Sequence, residues 1–153
     1  MAVATSLELH SRAFATGERI PVRHTGEGED ISPALEWSGI PDGTRELALI
    51  CDDPDAPRPF GWVHWVLCKI PPDTTAISEG GGNRFVEGNN DFGRTEYGGP
   101  MPPPGHGTHH YYFWLYALSE PVPASPGISK NELLEMIAGK VIGQARIVGT
   151  YSR

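Results

Sequence analysis

The sequence predicts a mostly β domain, and three observations predict it. The 153 residues are 39% hydrophobic and 20% charged, with four Trp, five Tyr and five Phe, which suits one buried core rather than disorder or a coiled coil. The 19 Gly and 15 Pro are spread along the chain instead of gathered in a tract, and both break helices. Between those breaks, apolar runs of strand length recur, above all WVHWVLCKI and HYYFWLYAL. No linker or internal repeat divides the chain, so one domain over residues 1–153 is expected.

Taken in order, Ser6 to Phe14 and Arg19 to Arg23 read as short strands around a turn at Thr16 and Gly17. A polar loop follows from Thr25 to Pro33, then strands at Ala34 to Trp37 and Glu46 to Asp52 flank the turn Pro41, Asp42, Gly43. Trp62 to Ile70 is apolar on both faces and belongs in the middle of a sheet. The Pro-rich connection Pro54 to Gly61 makes an antiparallel hairpin with the preceding strand. Strict alternation puts Cys51 and Asp53 on one face, and His64, Val66 and Cys68 together on one face of the returning strand. Glu79 to Pro104 lacks periodicity and is expected as a long ordered loop. His110 to Leu118 is a strand. Lys130 to Lys140 is the one helix, started by the capping box Ser129 and Glu132 and carrying the stripe Leu133, Leu134, Ile137. Gln144 to Tyr151 returns to strand.

The net charge of −7 argues against nucleic acid or an anionic membrane surface as partner, since both need clustered Lys and Arg. No stretch approaches the ~20 apolar residues of a membrane span, and the N-terminus MAVATSLELHSRAF lacks a basic region followed by an apolar one, so a cytoplasmic location is expected. Cys51 and Cys68 lie in apolar runs and are expected as buried thiols.

Three segments carry chemistry: DDPDAP (Asp52 to Pro57), WVHW (Trp62 to Trp65) and EYGGPMPPPGHGTHHY (Glu96 to Tyr111). Neighbouring carboxylates share a proton or orient a histidine, and a histidine so held offers its second nitrogen to a ligand. In GGPMPPPGHG, four Pro make the chain rigid and the Gly residues let a ligand approach backbone N–H groups, as an anion nest requires. Asp53, Asp55, His64, the Gly98 to Pro104 loop and His109 are therefore expected to hold a small anionic group. In HGTHHY, His109 and His110 alternate faces, so no more than two of the three histidines converge, and no metal or other cofactor is expected.

In their order and spacing, DPDAP, W-x-HW, YGGP-x-PP-x-G and HHYYF, with SPALEW and NDFG, resemble the phosphatidylethanolamine-binding protein (PEBP) family, in its bacterial and archaeal Raf kinase inhibitor-like branch. The resemblance covers nearly the whole chain. It implies a PEBP-like fold of two packed antiparallel β-sheets with a peripheral C-terminal helix, and a pocket for phosphate or phosphorylated ligands. It places Asp53, Asp55, His64, Gly99, Pro100, Pro102, His109 and Tyr111 in that pocket. Eukaryotic members carry a Tyr just before W-x-H, where this chain has Pro59 and Phe60, and Tyr97 is expected to supply the hydroxyl instead. Bacterial relatives often carry Cys in the loop where Met101 stands. Homodimers and a kinase partner are further implications. Two other classes compete with a simple binding protein: a hydrolase using the Asp and His residues, for which no activated Ser or Cys is in sight, and a module docking a signalling partner.

Overall fold

The computed structural model describes residues 7–153. Ser6, the first residue of the first expected strand, and the start of the N-terminal stretch used to argue location lie outside the described residues. Eight strands and one helix follow: β1 (Glu8–His10), β2 (Leu35–Ser38), β3 (Glu46–Asp53), β4 (Trp62–Ile70), β5 (Ala76–Ile77), β6 (Val86–Glu87), β7 (His109–Leu118), α1 (Lys130–Ile137) and β8 (Val141–Tyr151). They form two antiparallel sheets, ordered β1-β2-β5 and β6-β4-β3-β7-β8.

The apolar character of β3 and β4 on both faces has a direct cause, because the large sheet is covered on both sides. Leu47, Leu49, Cys51, Trp65, Leu67 and Phe113 meet Leu9, Leu35, Trp37 and Ile77 of the small sheet. On the other face, Ala48, Ile50, Val66 and Cys68 meet Val122, Ile128 and the α1 residues Leu133 and Ile137. Each such fully buried aliphatic side chain stabilises the fold by about 1.5–3 kcal/mol. Cys51 and Cys68, both free, face opposite cores with the sheet between them.

The helix starts where its capping box places it. The Glu132 N–H donates to Ser129 Oγ and the Ser129 N–H to Glu132 Oε1, both at 3.1 Å. It stops at Ile137 rather than Lys140, because Gly139 takes a left-handed φ of 79°. β8 consequently begins at Val141, before the expected Gln144.

Three further expectations are corrected. Arg19 to Arg23 is no strand: Arg19 makes one parallel bridge to Thr150, and Val22–His24 is a 3-10 turn. Pro21 cannot donate to a ladder, and its carbonyl instead accepts the His24 N–H. The first strand is only Glu8–His10. The loop from Glu79 is interrupted by a 3-10 turn at Gly81–Arg84 and by β6, which pairs with β4.

Candidate functional site

His64 owes its direction to an irregularity. Cys51 pairs with Trp65 and Asp52 with Val63, so His64 has no opposite number on β3 and forms a β-bulge. Regular alternation would send it to the side of Val66 and Cys68. Those two face α1, whereas His64 packs edge-on to Tyr111 on the other side, with ring centroids 5.1 Å apart. The expectation that the three share a face is thus overturned, and the bulge carries His64 to the same cleft as Asp53.

A buried polar chain crosses that cleft. Asp53, at the end of β3, accepts the Asp55 N–H through Oδ1 at 2.8 Å and the His109 Nδ1–H through Oδ2 at 2.6 Å. His109 Nε2 lies 2.6 Å from His106 Nδ1, with one proton between the two nitrogens. His64 Nδ1–H donates to the Gly98 carbonyl at 2.6 Å, which fixes its tautomer and leaves Nε2 as the uncommitted nitrogen.

The cleft, of about 460 Å³, is walled mainly by Pro57, Trp62, Phe92, Met101, Pro102 and Pro103, with Asp53, Arg58, His64, His109 and Tyr111 as its polar members. Of the residues expected there, Asp53, His64, Pro102, His109 and Tyr111 come together. Asp55, Tyr97, Gly99 and Pro100 do not line it. Asp55 instead accepts the backbone N–H and ring Nδ1–H of His110 at 2.8 and 2.7 Å. The Tyr97 hydroxyl donates to the His24 carbonyl at 2.7 Å, so it does not replace the missing tyrosine, and Phe60 points outward, 98% exposed. The Pro100 carbonyl accepts the Gly26 N–H.

The glycines serve the wall rather than a ligand. The Gly98 N–H donates to His64 O and the Gly99 N–H to Asp30 Oδ1 at 2.7 Å. A Cβ on Gly99 would lie 2.2 Å from the His24 carbonyl oxygen, so only glycine lets the strands of chain approach this closely. Asp30, itself at φ 58°, also takes Arg94 at 3.0 Å and pins the loop.

Burial is the main influence on titration here. It pushes the His64 imidazole below the ordinary histidine range, against the Gly98 hydrogen bond and nearby carboxylates. It also pushes the Tyr111 phenol well up, helped by Asp53, so the hydroxyl stays a donor. For Asp55, partial burial acts upward but the His110 hydrogen bonds outweigh it and hold the carboxyl low.

Sequence reasoning passed over Arg58 and Trp62 as site residues. Trp62 stood inside the W-x-HW motif and was legible there. Arg58, whose guanidinium lies 4.7 Å over the Trp62 ring, shows no signal beyond its place in the hairpin loop. Among the described residues no three His, Cys, Asp or Glu side chains are grouped to hold a metal ion, and no helix is long and apolar enough to cross a membrane.

A family model described as phosphatidylethanolamine-binding protein matches residues 10–152. The chain belongs to this family. The relatives of this PEBP include a UPF0098 protein of Methanothermobacter thermautotrophicus, 46% identical over 96% of this chain and 99% of that one. Another is a Mycobacterium tuberculosis protein named "Putative lipoprotein LppC", 41% identical over 97% of this chain and 73% of its own length. Among solved structures, the PEBP homolog CT736 of Chlamydia trachomatis superposes with a TM-score of 0.92 at 36% identity, covering 97% of this chain and 99% of that one. YbcL of E. coli, described as a member of the mammalian PEBP family, gives 0.90 at 34% identity, with 97% and 99% covered. This PEBP is thus a member of a ligand-binding family and has that family's two-sheet fold with one C-terminal helix.

Proposed function

We propose that the cleft binds a small ligand bearing phosphate or a similar oxyanion, with the apolar wall taking whatever the anion is attached to. One observation carries this reading: a residue that lines the cleft holds a buried donor that no protein group satisfies. The Trp62 Nε1–H is buried without a partner among the described residues. The Tyr111 hydroxyl belongs to the same cleft and Arg58 stands at it. A buried donor left unmatched costs about 1–3 kcal/mol, and a charged oxygen acceptor is the group that repays several donors at once.

His64 extends the donor set conditionally. Neutral, its Nε2 accepts from a ligand hydroxyl or ammonium. Beside a bound anion it takes up a proton and donates instead. The loop amides at Gly98 and Gly99 play no part, being engaged inside the protein.

The reading is of a binding protein rather than an enzyme. Among the described residues no Ser, Thr or Cys lines the cleft, and burial pushes the Cys51 thiol up and the Cys68 thiol up to about 11, so neither is a thiolate at neutral pH. A cytoplasmic location is part of the proposal, supported by two unpaired buried thiols, which suit a reducing compartment.

Isothermal titration calorimetry with phosphate and phosphorylethanolamine tests it. Saturable binding to the wild type, weakened about tenfold in Tyr111→Phe, is expected for the loss of one hydrogen bond to an anion. Absence of binding by the wild type, or full affinity in both Tyr111→Phe and His64→Ala, sinks the assignment.

A further inference from the structure

Trp65, next to His64 at the bulge, belongs to a second cleft of about 520 Å³ beside Tyr97, which the reading above does not use. Four carboxylates line it: Glu29, Asp30, Glu87 and Glu96. Two are already matched, Glu29 by Arg23 at 2.6 Å and Asp30 by Arg94 at 3.0 Å. Arg94 reaches Glu96 only at 3.9 Å, and Glu87 has no basic partner among the described residues. Burial, and then the charge of Glu96, raise the Glu87 carboxyl above its ordinary range. A cation at this point would relieve both effects.

A second and independent observation concerns the indole. Trp65 is fully buried and its Nε1–H has no acceptor among the described residues. The Nε1 to Cζ2 edge of the ring lies against Gly82, another wall residue of the same cleft. A Cβ on Gly82 would come within 2.7 Å of Cζ2 and 3.2 Å of Nε1. Carboxylates short of a cation and a donor short of an acceptor therefore belong to residues lining one cleft.

We propose that this cleft binds a small organic ammonium with a hydroxyl on the carbon adjoining the one that bears the nitrogen, as in a 1,2-amino alcohol. The ammonium faces Glu87 and Glu96, and the ligand oxygen accepts from the Trp65 Nε1–H. A metal ion satisfies neither half: the carboxylates are not grouped for coordination, and a metal cannot accept an N–H.

The four tryptophans give separate indole N–H signals in a nitrogen-15 correlation spectrum, so the test is direct. The probe is 2-amino-1,3-propanediol, with glycerol as its uncharged counterpart and 2-aminopropane as the counterpart without oxygen. The Trp65 signal, assigned through Trp65→Phe, is expected to shift saturably with the amino alcohol and not with glycerol. Binding of 2-aminopropane to the wild type, and of the amino alcohol to Glu87→Gln, should each be about tenfold weaker, as for loss of one charge-assisted hydrogen bond. Glu87 is half-buried on a two-residue edge strand, so its substitution leaves the core intact. The proposal is overturned by an unmoved Trp65 signal, by an equal shift with glycerol, or by unchanged affinity in Glu87→Gln.

Discussion

Two Asp–His pairs follow one another where the β3–β4 hairpin meets β7. Asp53 and His109 stand 2.6 Å apart with side chains 4% and 2% exposed, while Asp55 and His110 stand 2.7 Å apart at 41% and 48%. Alternation along β7 turns His109 inward and His110 outward. The distances are nearly equal, so burial is the main difference between the two pairs. A buried carboxylate stripped of its partner keeps its desolvation penalty, whereas water and salt screen an exposed one. The inner pair holds the wall of the cleft, and the outer one pins the hairpin loop to the strand.

The largest expected effect comes from breaking the inner pair. His109→Ala leaves Asp53 buried without its ring donor and should lower stability by about 3 kcal/mol. The matching His110→Ala should lower it by less than ~1 kcal/mol, the usual range of exposed pairs. Urea denaturation of both variants decides the matter, and equal losses would erase the distinction drawn here.

His64 provides the next effect, through pH. Burial holds its folded pKa below the ~6.5 of the unfolded chain, so the folded state binds fewer protons. Its contribution is therefore fully present above about pH 6.5 and is lost as the pH falls towards the folded value. His64→Gln should show a flatter dependence of stability on pH below about pH 6.5, read from thermal melts at several pH values. Sulfate, which does not titrate in this range, should bind the wild type more tightly as pH falls through that window, because binding takes up a proton. A flat or opposite slope would show that His64 takes up no proton when the anion binds.

The smallest effect concerns the outer carboxylate. Asp55→Asn removes the charge but keeps an oxygen for the His110 N–H, and should change stability by no more than about 0.5 kcal/mol while leaving oxyanion affinity untouched.

Much of this architecture was legible in the sequence. The apolar runs of β3, β4 and β7 and the capping box of α1 are local signals, and each element appears where its signal lies. The two-residue strands β5 and β6 are too short to show a period. The bulge at His64 was hidden for a related reason: a strand apolar on both faces, such as WVHWVLC, shows no break in pattern when its alternation slips. In the site, the motifs brought Asp53, His64, Pro102, His109 and Tyr111 together. They misplaced Tyr97 and Gly99, because what claims those groups lies far away in the chain: the His24 carbonyl takes the tyrosine hydroxyl and Asp30 takes the glycine amide. A residue's own motif gives no view of a competitor roughly seventy residues distant.

Phosphate titration of the nitrogen-15-labelled protein, followed at the tryptophan indole N–H signals, shows whether the cleft takes up an oxyanion. The unmatched Trp62 donor lies in the proposed oxyanion cleft, so its signal should shift saturably, and those of Trp37 and Trp114 should stay in place. If Trp62 does not move, or all four signals drift together without saturating, the cleft is not an oxyanion site.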